Sequence, residues 1–223
     1  MRASAPGASI SAISHQRRAR SGRVNVAIDG AFAFSLAVPI AASVRAGDPV
    51  DEATVNALLR RDEQERAHER ALRFLATRPR SEAEVRRRLA RAGYSPQAAD
   101  ATANRLKAEG LVDDDAFAAY WVSQRMTFHP RGPRALRAEL RAKGVDATRT
   151  SAAIEPIQPS QALQAYRAAL RRAERLCEPD ERRFVHDLIA YLARRGFDYG
   201  PAREAVALLW KEHGEIPSAS SVP

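Results

Sequence analysis

The sequence predicts a mainly α-helical fold in which three tandem three-helix repeats stack as a solenoid, preceded by a small N-terminal extension with a β-hairpin. Three observations predict it. Apolar residues recur at helical spacing from about residue 61 onward, and a Leu-and-Gly pattern occurs three times at near-constant intervals. Near the N-terminus, alternating apolar residues precede Asp29-Gly30, which is a strong hairpin signal.

The repeat is visible in three segments of ten residues. They are VRRRLARAGY from Val85, LRAELRAKGV from Leu136 and LIAYLARRGF from Leu188, at spacings of 51 and 52 residues. Each glycine is expected to end a helix with a positive φ, so that the next apolar residue folds back onto that helix. A single helical hairpin cannot bury its apolar stripe, and the modules should therefore stack. The corresponding positions are Leu89, Leu140 and Leu192, then Gly93, Gly144 and Gly196, then Leu106, Ile157 and Leu209.

The N-terminal extension has the alternation of a half-buried strand at Val24, Val26 and Ile28. A returning strand is predicted over residues 31–36, and a third short strand over 10–13. Because two strands alone are marginal in water, this unit should pack on the helices that follow it. The predicted regions are a disordered tail at 1–9, the extension at 10–60, repeats at 61–112, 113–160 and 161–213, and a disordered tail at 214–223.

Helix signals follow in order. Two helices are predicted over residues 51–59 and 62–77, the first with Asp51 as its N-cap. Ser81 and Glu84 have the spacing of a capping box at the start of the helix that ends at Gly93. The acidic run at 113–115 is interpreted as capping the helix that begins near residue 116, rather than as a metal site.

The charge favours a polyanionic partner. The formal net charge is +9, and residues 116–161 hold seven basic but only three acidic side chains. Arg134 and Arg137 lie on one predicted helix face with Arg141, while Leu136 and Leu140 occupy the neighbouring inward face. An ordinary solvated face is the alternative interpretation. The candidate contact residues for a filament or DNA are Arg125, Arg131, Arg134, Arg137, Arg141 and Lys143.

No catalytic, cofactor-binding or metal-binding pattern is found, which disfavours an enzyme. The five histidines share no metal-ligand spacing. The single cysteine, Cys177, suits a reducing cytosol and is expected to be a small buried residue. With no long apolar run, the sequence indicates a cytoplasmic protein. Four aromatic residues could stack on bases, although helical spacing favours core packing for the first and third: Phe117, Tyr120, Trp121 and Phe128.

Several segments resemble the RecX family of regulatory proteins. ALRFLATRPRSEAEV from Ala71, with RLARAGY from Arg88, resembles the first repeat of the family, and LKAEGLVDDDAFA from Leu106 resembles its junction into the second. RGPRALRAELRAKGV from Arg131 resembles the basic second repeat, and the hairpin at 23–34 is similar to an N-terminal extension of some members. The resemblance spans roughly residues 10–210, with a diverged third repeat.

The resemblance implies modulation, usually inhibition, of the RecA recombinase, and hence a role in DNA recombination, repair and the SOS response. It further implies an elongated, curved monomer that lies in the groove of the RecA–single-stranded-DNA filament, without a cofactor, and reduces ATPase, recombinase and coprotease activity. Inhibition or stimulation, and direct contact with DNA, stay open. The alternatives are a helix-turn-helix-like module on naked duplex DNA and a protein-only scaffold.

Overall fold

The computed structural model describes residues 8–16, 22–176 and 180–215. The chain divides into two compact units, one of residues up to 78 with 85–112, and one of 79–84 with 113 onward. Cys177 lies outside the described residues, as do all but four residues of the two predicted tails. Within the described ranges, no helix is both long and apolar enough to cross a membrane.

The first unit begins with a three-stranded antiparallel sheet in the order β1-β2-β3, so the third predicted strand is present. Val24 and Val26 are buried, and the turn at Asp29-Gly30 adopts positive φ at both residues. The sheet packs its apolar face on Val55 and Leu58 of the first long helix, as its small size requires. The elements are β1 (Ile10–His15), β2 (Arg23–Ile28), β3 (Ala31–Ala37), α1 (Val38–Ala41), α2 (Glu52–Leu75), α3 (Glu82–Arg91) and α4 (Pro96–Ala108). The first three residues of α3 belong to the second unit.

A buried ion pair ties the sheet to α2. Asp62 is only 3% exposed, and both of its carboxylate oxygens accept hydrogen bonds from the Arg23 guanidinium, at 3.1 and 3.0 Å. The same carboxylate accepts from the backbone N–H of Ala37 at 2.6 Å. This bidentate geometry satisfies a charge that would otherwise be costly to bury, and it fixes β2 and β3 against the helix.

The prediction of two separate helices over 51–59 and 62–77 is wrong, because α2 runs unbroken from Glu52 to Leu75. The predicted N-cap is confirmed, since the Asp51 side chain accepts from the N–H of Thr54 at 2.7 Å. Asp62 was expected to open a second helix, but its carboxylate faces the sheet. The residues between the two predicted helices include no glycine or proline, so nothing in the chain stops the helix there.

The second unit contains two three-helix sets and a short connecting turn. The first set ends early, because the helix that opens at residue 147 gives way to a 3-10 turn at Glu155–Ser160, which contains Pro156 and Pro159. Proline lacks the N–H that a continuing α-helix requires. The elements are α5 (Asp114–Phe128), α6 (Pro133–Lys143), α7 (Ala147–Ile154), α8 (Gln161–Ala173), α9 (Glu181–Arg194) and α10 (Tyr199–Glu215).

The repeat is confirmed at the glycines and at the apolar positions before them, but Ile157, predicted as the equivalent of Leu106 and Leu209, is only half-buried in the 3-10 turn. The three glycines at the repeat positions have φ values of 84°, 86° and 84°. In each case the N–H of the residue after the glycine donates to the carbonyl of the repeat leucine five residues earlier, at 3.0 to 3.3 Å. These leucines are Leu89, Leu140 and Leu192. Val145 and Phe197 are buried, and Tyr94 packs on its own core. The equivalent core side chains are Val85 and Leu89, Leu136 and Leu140, and Leu188 and Leu192, all fully buried.

Inside the second unit, the start of α6 meets the end of α9 backbone to backbone. The N–H of Gly132 donates to the carbonyl of Arg195 at 2.9 Å, and the N–H of Arg134 donates to that of Gly196 at 3.2 Å. The first amides of one helix and the last carbonyls of another are groups without partners inside their own helices. Each helix end therefore caps the other, and the two dipoles meet with opposite sign.

We predict that Gly196→Ala lowers the free energy of unfolding by about 3 kcal/mol, because a left-handed φ costs about 1–2 kcal/mol and overpacking adds about 1–3. A Cβ at this position would lie 2.3 Å from the backbone nitrogen of Ala135. Urea unfolding followed by circular dichroism measures the loss. Gly93→Ala is the matched control, because it shares the positive φ but has nothing within 4 Å of the added Cβ. Equal losses would contradict the close approach.

Asp62→Ala should lower the free energy of unfolding by about 3 kcal/mol, because it removes the carboxylate to which both the Arg23 guanidinium and the backbone N–H of Ala37 donate. Asp100→Ala removes the exposed ion pair with Arg86 and should cost less than about 1 kcal/mol. The measurement is urea unfolding of both variants beside the parent chain. If the two variants lose the same stability, the sheet is not anchored through Asp62.

Candidate polyanion-binding face on helix α6

The basic residues predicted as contacts are organised by α6 and the segments beside it. Pro133 occupies the first turn, where its missing N–H costs nothing, and Gly144 ends the helix in the left-handed conformation. Leu136 and Leu140 are fully buried, as their spacing predicted. The helix therefore turns one apolar stripe inward and carries its arginines on the remaining faces.

Glu139 gathers two of the six candidates. Its carboxylate accepts from Nε of Arg125 at 2.7 Å and lies 3.6 Å from Nε of Arg131. The indole N–H of Trp121 donates to the same carboxylate at 2.8 Å, and the Arg125 guanidinium lies 4.4 Å from the centre of that ring. Arg125 is therefore held inside the unit by a hydrogen bond and an aromatic face, whereas Arg131 forms a longer ion pair with the same carboxylate.

Arg134 supports the packing between α6 and the end of α9. Its guanidinium donates to the carbonyl of Phe197 at 3.0 Å, and its Nε lies 3.5 Å from the Asp198 carboxylate. This arginine was predicted as a contact for a partner on the strength of its helix face. The structure shows that its hydrogen bonds are made within the unit, and a charge reversal here would disturb packing.

Lys143 is also held within the second unit. Its ammonium donates to the Glu84 carboxylate at 2.7 Å and lies 4.8 Å from the centre of the Trp121 ring. Its backbone carbonyl accepts from the hydroxyl of Ser81 at 2.6 Å. The predicted capping box is present at the same place, because the Ser81 hydroxyl accepts from the N–H of Glu84 at 3.2 Å.

Arg149, the seventh basic residue of the middle segment, was not a candidate and is neutralised as well. It binds the carboxylates of Asp115 and Asp146, and these hydrogen bonds raise the pKa of Arg149. The backbone N–H of Arg149 caps its helix on Asp146 and, with the guanidinium, lowers the pKa of that carboxyl group. Both charges are thus fixed at the start of α7.

Arg137 and Arg141 remain. Neither forms an ion pair with any residue that the structure describes, and they lie four apart on one face of α6. Arg141 is exposed and Arg137 is half-buried. The structure thus divides the six predicted residues into four that are engaged within the unit and two, Arg137 and Arg141, that form no ion pair with a described residue; we call these two the outward pair.

The aromatic candidates separate in the same way. Phe117 is buried in the core of the second repeat, and its ring lies 5.9 Å from that of Trp121, as core packing predicted. Phe128 is instead 65% exposed at the end of α5. The acidic run behaves as predicted, because the Asp113 carboxylate accepts from the N–H groups of Asp115 and Ala116. Among the described residues, no group of three metal-ligating side chains is found.

A second set of arginines was missed by sequence reasoning. It lies in α8 and the turn after it, at Arg167, Arg171, Arg172 and Arg175. Residues 162–223 hold ten basic and nine acidic side chains, so the average charge of the segment conceals the cluster. The detectable signal was the spacing of four between the first, second and last of these residues on a predicted helix.

Comparison with known proteins decides the family. A model described as the first three-helix domain of RecX matches residues 67–106, and one described as the second matches 113–154. Regulatory protein RecX of Mycobacterium ulcerans is 43% identical over 150 residues, which are 66% of this chain and 84% of that protein. The chain belongs to the RecX family. The RecX protein of Mycolicibacterium vanbaalenii is 40% identical over 164 residues, 70% of this chain and 88% of that one.

Solved structures agree with the RecX assignment. A crystal structure of regulatory protein RecX is 28% identical with a TM-score of 0.71, covering 87% of this chain and 96% of that one. A crystal structure of RecX from Lactobacillus salivarius is 21% identical with a TM-score of 0.61, covering 67% and 98%, and shows likeness of fold alone. The predicted mainly α fold with RecX-type three-helix domains is confirmed.

The acceptor role of Glu139 yields a prediction. Glu139→Ala should lower the free energy of unfolding by about 2 kcal/mol, because the Arg125 guanidinium and the Trp121 indole N–H lose their shared acceptor and Arg131 loses its ion pair. Glu155→Ala removes an exposed carboxylate with no ion pair in the described chain and should change stability by less than about 0.5 kcal/mol. Thermal unfolding compares them, and indistinguishable midpoints would contradict the role of Glu139.

Proposed function

We propose that this member of the RecX family is a cytoplasmic, monomeric regulator that binds the RecA–single-stranded-DNA filament and inhibits its ATPase. The activity requires no chemistry by the chain itself, because a bound protein can oppose filament turnover by occupying a surface. Family membership supports the regulatory role. The observation that carries the docking part is the outward pair Arg137 and Arg141, on a helix whose other basic residues are engaged within the unit.

The pair suits a rigid anionic surface. Arg137 and Arg141 are one helical turn apart, so their guanidiniums can reach neighbouring carboxylates or phosphates on one side of the partner. α6 is fixed at both ends, by the backbone bonds at Gly132 and by the left-handed turn at Gly144. Because the helix does not have to be ordered on binding, little of the interaction free energy is spent on conformational entropy.

The decisive assay is RecA ATPase on single-stranded DNA with the purified chain titrated in. We expect the parent chain to inhibit, and Arg137→Glu/Arg141→Glu to raise the half-inhibitory concentration by at least about tenfold, because two charge-assisted contacts become repulsive. Arg182→Glu/Arg203→Glu is the control with the same change in net charge, made at exposed residues of α9 and α10. It should inhibit like the parent.

The outcomes separate the alternatives. Equal inhibition by both double variants would remove the α6 face from docking, and no inhibition by the parent would remove the inhibitory role. A gel shift with naked duplex DNA, single-stranded DNA and the RecA filament tests the two alternative functions, a DNA-binding module and a protein scaffold. Preference for naked duplex with a steep salt dependence would favour a helix-turn-helix-like DNA reader, whereas binding that ignores DNA and nucleotide would favour a protein scaffold.

A further inference from the structure

A basic groove lies in the second unit, and neither Arg137 nor Arg141 lines it. It has a volume of about 980 Å³ and is bounded by the end of α5, by α8 and by the end of α9. Met126 and Leu176 contribute apolar surface, and five arginines are among the lining residues. The arginines that line it are Arg167, Arg171, Arg172, Arg175 and Arg195.

The floor of this groove is organised before any ligand binds. Arg195 donates through Nε to the carbonyl of Pro130 at 3.2 Å and through a terminal nitrogen to the hydroxyl of Tyr191 at 2.9 Å. The Tyr191 hydroxyl in turn donates to the carbonyl of Ala168 at 3.3 Å. The guanidiniums of Arg172 and Arg195 lie 5.2 and 5.3 Å from the centre of the tyrosine ring. These contacts hold positive charge in place at the floor.

The walls carry charge that nothing in the described chain neutralises. Arg167, Arg171 and Arg175 are exposed, and no described carboxylate forms an ion pair with any of them or with Arg172. Arg167 and Arg171 are separated by about 6 Å along the axis of α8, from four residues at 1.5 Å each. Arg175 follows in the turn after the helix at the same interval of four residues. The groove therefore presents a row of three cations.

An aromatic ring stands at the rim of the same groove. Phe128, the last residue of α5, lines it and is 65% exposed. A large exposed apolar ring beside a row of unmatched cations is the combination by which proteins bind single strands, with arginines along the backbone and bases stacked on the ring. The carboxylates of an acidic peptide would not stack on the ring, and the bases of a duplex are already stacked on one another and paired.

We propose that this groove binds single-stranded DNA, with Arg167, Arg171 and Arg175 on successive phosphates and Phe128 stacked on a base. The choice of DNA over RNA rests on the proposed function, in which single-stranded DNA is the strand that the regulator meets. The groove itself does not require RecA. It is a second site, distinct from Arg137 and Arg141, and the two can succeed or fail separately.

The test is fluorescence anisotropy of a labelled oligo(dT) with the full chain, without RecA, over a range of salt concentrations. Arg167→Ala/Arg171→Ala should weaken binding by at least about tenfold. It should also reduce the slope of log affinity against log salt by about 1.4, because each phosphate contact to a single strand contributes about 0.7. Arg182→Ala/Arg203→Ala, with the same loss of charge outside the groove, should match the parent. Equal weakening by both variants would overturn the proposal.

Phe128 supplies a readout that charge alone would not move. Phe128→Ala should weaken oligo(dT) binding by about fivefold to a hundredfold without changing the salt slope, and Phe128→Trp should restore it. Because the residue is exposed, circular dichroism should show the same helix content in all variants. Unchanged affinity of Phe128→Ala would overturn base stacking and leave an acidic polymer as the better ligand.

Three competitors complete the experiment. Unlabelled oligo(dT) should displace the probe at the lowest concentration, ahead of a duplex of the same length, oligo(U) and polyglutamate. Displacement by duplex or polyglutamate at equal or lower concentration would overturn the assignment of a single strand. Preference for oligo(U) would overturn DNA as the ligand. RecA ATPase inhibition that persists after oligo(dT) binding is lost would show that inhibition does not require the groove, so the groove and the proposed function are tested separately.

Discussion

The left-handed glycine at the end of one helix in each repeat is the constraint on which the helical part of the fold depends. It turns the chain so that the next residue covers the core of its own repeat, as Val145 and Phe197 do. At Gly196 it also leaves room for Ala135 of α6, and Gly132 leaves room for the backbone of Gly196. The amides that begin α6 then meet the carbonyls that end α9, and two sets of unpaired backbone groups satisfy each other. A side chain at either glycine would separate them.

The packing of the second unit also determines which basic side chains of residues 116–161 can attract a partner. The middle segment is strongly basic when counted along the chain, but most of that charge is matched by carboxylates that the fold brings to it. Glu139 of α6 pairs with Arg125 of α5, Asp198 after α9 pairs with Arg134, and Glu84 at the start of α3 pairs with Lys143. An ion pair formed through space removes a cation from the set that can attract a partner. The outward field of α6 is therefore set by Arg137 and Arg141.

Features governed by local chemistry could be predicted from the sequence. The hairpin at Asp29-Gly30, the caps at Asp51 and Ser81, and the repeat glycines each depend on a few neighbouring residues. Features that depend on distant partners could not. Asp62 resembled the start of a helix because its bidentate partner is 39 residues away, in a strand. The basic groove could not be predicted for a related reason. The net charge of a segment does not show which charges lie on the same face of a helix.

Two outward arginines on α6 are a small basis for binding a filament, because an exposed charge contact contributes only about 1 kcal/mol or less. Several weak sites on one rigid body can do what a single one cannot, since the first contact makes the later ones effectively intramolecular. The second unit meets that condition. The bonds that join the start of α6 to the end of α9 also fix Arg195 and Tyr191, and with them the floor of the groove, relative to the α6 face. Under the proposed function, the second unit would then bind RecA through the α6 face and single-stranded DNA through the groove, with an affinity that neither surface has alone.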